Sequence, residues 1–385
     1  MNIQVKKKIF YIGGFDLPDK NAAAQRVLAN AKLFRDLGYK VYLYGLSRSA
    51  TRPSYLEHEG FSCCNLPYPK SIQKWFEYLT SIRQYIHFIE EHNPCIVIAY
   101  NHPAIALQKL ANYCKSKGIK ILSDCTEWYV PQGNFIFRKI KGWDVNKRMY
   151  DVHSQLDGVI SISRYLYDFY HKQNVNTMLL PPLVDLQESK WKQKETDDSD
   201  STIRLIFAGS LGKGNKDRVD MVIDALENVS NHSRSINFVL DILGITQEQY
   251  INLFPNKQSV PSFVTFHGRK SHQEAIQMLL QSDFQIFLRE NHLANKAGFP
   301  TKFVESISSQ TLVLTNPSSN LSEYMQEGFN SFCLNMDTFD DLVDSLTHPL
   351  RLSKQEILDL RKKMDTMVFD YRNYMSTVKN FLSTL

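Results

Sequence analysis

Two segments carry side chains whose types and spacing suit phosphate and sugar chemistry. The first is GSLGKGNKDRVDMVIDAL, at the end of the apolar run 203–210. Gly209, Gly212 and Gly214 let the backbone turn tightly and approach a ligand. A helix expected over 217–226 turns its amide end to the same place, where Lys213, Lys216 and Arg218 gather around a phosphate. Gly209 and Gly214 have P-loop spacing, but Asn215 and Lys216 break that motif, and no G-x-G-x-x-G is present. Taken alone, the segment also reads as an ordinary glycine turn. The second is LRENHLANKAGFPTKFVESISSQTLVLTN. A strand ends at Arg289 and Glu290, a loop passes Gly298, Phe299 and Pro300, and Thr301 is placed to cap a helix over 301–309. Glu305, one turn in, can accept two hydrogen bonds from a ribose diol; the alternative is a solvated helix glutamate.

Three further places hold polar groups at strand ends. Asp124 and Glu127 lie in SDCTEWY, where the alternative is that Asp124 caps a turn and Glu127 faces solvent. His102, beside Pro103, reads as structural. His267 and Arg269, in HGR, are expected to edge a ligand cleft, with no catalytic role for His267.

Short apolar runs alternating with helical patterns must position these groups, which is the signature of parallel α/β sheets. In the first half the expected strands are 9–14, 40–46, 95–101, 119–125, 156–163 and 177–182. Helices are expected in AAAQRVLANAKLFRDLG and in SIQKWFEYLTSIRQYIHFIEE. The polar stretch DLQESKWKQKETDDSDST reads as an exposed connector. A fresh alternation follows, with strands at 203–210, 236–244, 262–268, 284–290, 311–316 and 331–335. The expected fold is therefore α/β, with two Rossmann-like domains facing across a cleft. They span 1–185 and 186–366, with a last helix at about 367–385 packing back onto the first.

The 385 residues, 43% apolar and 12% aromatic, suffice for two cores. The net charge of +5 is spread along the chain, which argues against nucleic acid as partner and fits an anionic small substrate or membrane surface. None of the six cysteines forms a C-x-x-C pair, so zinc is a poor reading and a reducing compartment a good one. The N-terminus reads as a first strand, not a signal peptide.

The glycine turn with Lys216, followed by AGFPTKFVES before a strand, resembles the nucleotide-binding half of retaining GT-B glycosyltransferases, family 4-like. NAAAQRVLANAKLFRDLGYKV, SDCTEWY, LDGVISISRYL, LPPLVD and HGR resemble members that build bacterial surface polysaccharides. The resemblance implies that Glu305 is the second glutamate of a Glu-x7-Glu pattern and binds the ribose. It implies that Lys216 holds the diphosphate, beside Lys213 of the same turn, and that the amides of Gly298 and Phe299 face the donor sugar and phosphate. Lys213 is placed there by the glycine turn and not by the resemblance. Arg269, Pro300 and Thr301 fall in the same donor-binding set. The first glutamate of the pattern falls on Ala297, where Glu290 or Lys302 would substitute, and the arginine usual after the strand glycine is Ser210. In the first half, Gly13, Gly14 and the loop DLPDKNAAAQR match backbone that approaches donor phosphates and acceptor. Asp124 and Glu127 occupy the region beside the reacting carbon, the catalytic position.

The implied activity is retaining transfer of a hexosyl group from a UDP- or GDP-linked sugar to a glycan or lipid-linked glycan, without metal or other cofactor. The one D-x-D, Asp198-Ser199-Asp200, lies in the polar connector. Rival readings are a non-catalytic partner with a degraded donor site, a nucleotide-sugar epimerase and, last, an oxidoreductase. The expected location is cytoplasmic. Residues 128–149, WYVPQGNFIFRKIKGWDVNKRM, mix aromatic and basic side chains as a segment at the inner membrane face would.

Overall fold

A computed structural model describes residues 7–192, 201–209, 217–233, 235–257 and 259–385. Lys213, Lys216, Gly212, Gly214, Ser210 and the Asp198-Ser199-Asp200 triplet lie outside the described residues. Two compact units result. One is Met1–Leu183 with Ala297–Phe299 and Tyr371–Leu385; the other is Val184–Lys296 with Pro300–Asp370.

The first unit holds strands β1 (Lys8–Gly13), β2 (Lys40–Ser47), β3 (Ser54–His58), β4 (Phe61–Pro67), β5 (Ile96–Tyr100), β6 (Lys120–Cys125), β7 (Gly158–Ser161) and β8 (Thr177–Leu179). Their order is β3-β4-β2-β1-β5-β6-β7-β8, parallel except for β3 against β4. Its helices are α1 (Ala22–Asp36), α2 (Ile72–Thr80), α3 (Arg83–His92), α4 (Ala104–Ser116), α5 (Phe135–Asn146) and α6 (Arg164–His171). The central strands are apolar on both faces, as helices on both sides require. One cluster joins Ile9, Tyr11 and Leu43 to Val27 and Phe34 of α1. Its counterpart joins Phe10, Ile12 and Val97 to Leu107 and Leu110 of α4.

The second unit holds β9 (Ile203–Ala208), β10 (Phe238–Leu243), β11 (Val264–Gly268), β12 (Phe284–Phe287), β13 (Leu312–Thr315) and β14 (Ser331–Cys333). The order is β11-β10-β9-β12-β13-β14, all parallel. Around it run α7 (Val219–His232), α8 (Gln247–Leu253), α9 (His272–Leu280), α10 (Leu293–Ala297), α11 (Thr301–Ser308), α12 (Phe339–Thr347) and α13 (Lys354–Lys363). A last helix, α14 (Met375–Ser383), belongs to the first unit, where Val378 and Phe381 enter the core. A Cβ on Gly158 of β7 would lie 2.7 Å from Phe381 Cζ, so strand and helix meet without room for a methyl group.

Three departures from the sequence reading concern the architecture. The hairpin β3–β4 was not expected; it turns through Glu59 and Gly60, whose φ angles of 49° and 80° suit a tight two-residue loop. The single helix expected from SIQKWFEYLTSIRQYIHFIEE is two. Thr80 Oγ1 bonds back to Phe76 O at 2.7 Å, and Ser81 is extended at φ −118°, ψ 148°, so local polar bonds compete with the helix ladder. The connector is not wholly exposed, because Trp191 is 9% exposed and packs with Ile206, Leu243 and Ile276.

Candidate functional site

Each sheet reverses its winding at one strand. The chain passes from β1 to β2 on one side and to β5 on the other; likewise from β9 to β10, and then to β12 across β9. Loops leaving such neighbouring strands diverge, which opens a ligand crevice at their carboxyl ends.

In the second unit this place joins the end of β9 to the end of β12. Asp217 bridges to Arg289, and Arg218 N donates to Leu288 O at 2.9 Å. The Asp217 carboxylate accepts from Lys302 Nζ at 2.6 Å and from Arg289 Nε at 2.7 Å. Burial alone would push its pKa up, but Lys302 and Arg289 outweigh burial and hold it well below the usual carboxylate range. Lys302 Nζ also stands 5.4 Å from the Phe207 ring centroid. Its stem explains Gly209: a Cβ there would lie 2.3 Å from Lys302 Nζ and 2.5 Å from Cε. The expected close approach is thus made to a lysine of the protein itself.

A second set of ions adjoins the first. Arg218 forks onto Asp220 at 2.6 and 2.9 Å and reaches Glu290 Oε1 at 2.5 Å. The described bases Lys302, Arg289 and Arg218 are therefore matched by the acids Asp217, Asp220 and Glu290. Any positive surplus from the glycine turn has to come from Lys213 and Lys216. Thr301 is not the N-cap of α11; that position is Pro300, and Thr301 is the first helical residue. Neither α11 nor α7, whose N-cap is Arg218, has a side-chain cap bond. α7 also begins at Val219 rather than at 217.

Glu305 sits one turn into α11, and its Oε1 is 3.2 Å from Nε2 of His272, the first residue of α9. His272 was not singled out in the sequence, because its partner lies on another helix. Gly298 and Phe299 group with the first unit, where Ala297 O accepts from Ser163 Oγ at 2.8 Å; Phe299 is buried. Arg269 is exposed just past β11, the outermost strand of its sheet. His267 is held by Asp241 at 2.6 Å.

In the first unit, Gly13 and Gly14 follow β1. Gly13 has φ 151°, and a Cβ on it would meet Tyr100 O at 2.6 Å, whereas one on Gly14 would meet nothing within 4 Å. The fold thus requires the first glycine and leaves the second open. Asp124 neither caps a turn nor reaches solvent. It is 0% exposed, and Arg26 grips it at 2.8 to 3.1 Å while Tyr11 OH donates to Oδ2. The remaining Arg26 nitrogen donates to Leu180 O and Pro181 O, both at 3.1 Å. Burial, then Asp124, raises the Tyr11 pKa well above its ordinary value. Asp124 therefore ties β1, α1 and the end of β8 together. Glu127, two residues past the strand, is half-buried. His102 is a core residue: burial pushes its pKa down to about 4, and it packs against the edges of Tyr78 and Tyr85.

Residues 202–351 match the family model described as "Glycosyl transferases group 1". No curated protein sequence matches the chain. Among solved structures, sucrose-phosphate synthase from Thermosynechococcus elongatus superposes with TM-score 0.72 at 12% identity, covering 98% of each chain. HepE from Anabaena, in complex with UDP and glucose, gives 0.65 at 13% identity over 98% of this chain and 100% of its own. WaaG, a glycosyltransferase involved in lipopolysaccharide biosynthesis, gives 0.63 at 13% over 96% and 95%. The chain thus has the GT-B fold, two Rossmann-like parallel-sheet domains, and residues 202–351, most of them in the second unit, match a glycosyl transferases group 1 domain.

Proposed function

We propose that the chain is a retaining glycosyltransferase that moves a hexosyl group from a UDP- or GDP-linked sugar to a hydroxyl of a glycan or lipid-linked glycan. The observation that carries this is a coincidence of place. The group 1 match over 202–351 contains the place where β9 and β12 end, with Asp217, Lys302 and Arg289 joined there and Glu305 one turn further along α11, beside His272. The donor's anomeric C–O bond breaks and its electron pair leaves on the nucleoside diphosphate. The acceptor oxygen bonds to that carbon from the same face, and its proton passes to the departing phosphate oxygen. Lys213, Lys216 and the opening amides of α7 and α11 stabilise the charge that develops on the diphosphate. This is the role a divalent ion has in other transferases, so the reaction is taken as metal-independent. Glu305 accepts from the ribose, and Gly14 and Glu127 belong to the acceptor half. The expected setting is the cytoplasm, at the inner face of a membrane.

The test is thermal unfolding against UDP-, GDP-, ADP- and CMP-sugars, followed by turnover with glycan acceptors. A true donor at 100 times its dissociation constant adds about 2.7 kcal/mol to stability. If no nucleotide sugar raises the unfolding temperature, the donor site is refuted. Donor binding with sugar isomerisation and no new glycoside would make the protein an epimerase instead.

A further inference from the structure

The first unit carries uncovered apolar side chains on two helices that both pack on α4. On α5, Phe135 is 62% exposed, Ile136 69%, Ile140 59% and Trp143 53%. Only Asp144 and Val145 of that helix are buried. α2 buries no residue at all; Ile72 is 90% exposed, Phe76 69% and Trp75 38%. Both helices pack at the start of α4. Asp144 Oδ1 accepts from Ala104 N at 2.9 Å, and the Tyr78 ring stands edge-on to His102, 5.7 Å away and just ahead of α4.

The exposed charge of α5 has one sign, whereas α2 carries an exposed Lys74–Glu77 pair at 2.8 Å. Between Trp128 and Met149 the sequence has Arg138, Lys139, Lys141, Lys147 and Arg148, of which Arg148 is buried, and Asp144 is the single acidic residue of the segment. Asp144 is 7% exposed, with Oδ2 engaged by Lys141 at 3.2 Å. Arg138 and Lys139 are exposed. Lys139 Nζ lies 4.6 Å from the Phe135 ring centroid and Lys147 Nζ 6.0 Å from that of Trp143, so the cations ride on aromatic faces and stay at the rim of the patch. Single exposed apolar residues are ordinary, but a contiguous aromatic and aliphatic helix face is not. No helix among the described residues is long and apolar enough to cross a membrane.

We infer that α2 and α5 together form a docking face for an anionic lipid bilayer, with the apolar side chains at the headgroup–acyl boundary and Arg138 and Lys139 against lipid phosphates. Lying flat, such helices need the half-apolar, half-basic pattern found here. The inference deepens the peripheral location proposed above and does not depend on sugar transfer. It assigns a lipid-linked acceptor to the first unit.

The experiment uses the full chain and two vesicle types: phosphatidylcholine alone, and phosphatidylcholine with about one third phosphatidylglycerol. Wild type should co-sediment with the anionic vesicles and much less with the neutral ones. R138E/K139E on α5 and W75S/F76S on α2 should each weaken binding at least about tenfold, the former because each basic residue is worth about fivefold at such a surface. Lys141 is left unchanged because it holds Asp144. Circular dichroism and the nucleotide-induced melting shift, followed in parallel, report folding and the donor site separately. Wild type remaining in the supernatant overturns the inference. Undiminished binding by W75S/F76S overturns the two-helix face. A wild-type dimer by light scattering that W75S/F76S dissociates assigns the patch to a second copy instead. Loss of the melting shift in wild type would sink the sugar-transfer reading and leave the surface untouched.

Discussion

Lys302 runs through the space that a side chain on Gly209 would fill, with Nζ only 2.3 Å from where a Cβ would be. The glycine at the end of β9 and the lysine at the start of α11 are therefore one device. The absent side chain lets the ammonium reach Asp217.

Gly209→Ala should accordingly displace Lys302 and cost about 1–3 kcal/mol, as overpacking does in a tight site. The cost should shrink in a Lys302→Ala background, with a coupling of about 0.5–3 kcal/mol. Denaturant unfolding of the four proteins measures it, and additive effects would mean that the two residues do not share the space.

Asp217 should make stability acid-sensitive. Its folded pKa lies below that of the unfolded chain, because Lys302 and Arg289 overcome burial. Its contribution is complete above an ordinary carboxylate pKa of about 4 and is lost as pH falls toward the lower folded value. Asp217→Asn should cost about 3–5 kcal/mol at neutral pH, since two bases lose their partner. The gap from wild type should narrow below about pH 4. Thermal unfolding across pH reads the difference, and a gap independent of pH would refute the ion pair.

Asp124 and Arg26 should behave as a buried pair. Asp124→Ala leaves the Arg26 guanidinium, 3% exposed, without its carboxylate. A loss of about 3–5 kcal/mol is expected. The double variant R26M/D124L should recover much of that loss by urea unfolding. If it is less stable than Asp124→Ala, the pairing is not the reason for the cost.

Glu305→Gln should keep the fold and lose ribose recognition, because the amide turns one acceptor into a donor. Nucleoside diphosphate affinity should fall by about 1.5–3 kcal/mol, the range for hydrogen bonds to charged groups. The 2′-deoxy analogue should lose little. Calorimetric titration of both nucleotides decides, and an unchanged ratio removes the ribose role.

Much of the fold could be read in advance because its strands are buried runs bounded by helical patterns, as with IFYIGG and CIVIAYN. The hairpin β3–β4 could not, since Tyr55 and Glu57 are exposed and its apolar signal is thin. Local signals also misplaced the cap at Thr301, where Pro300 already sets the entry to α11. The sequence marks Lys302 and Asp124 as polar groups at strand or helix ends. It does not reveal that Lys302 turns to Asp217 across 85 positions, or Asp124 to Arg26 across 98. Those pairings are made by the winding of the sheets, which brings ends of distant elements to one edge and leaves no periodic trace.

The return of α14 to the first unit has a consequence for how the chain is made. Phe381 closes against Gly158, and Val378 and Tyr371 fill the same core as Ile9 and Leu43. During synthesis the first sheet must wait, partly uncovered, until its last helix has left the ribosome. The second unit, whose segments are nearly continuous from Val184 to Asp370, has all its residues available sooner. The half of the protein that is translated first is thus the half that is finished last.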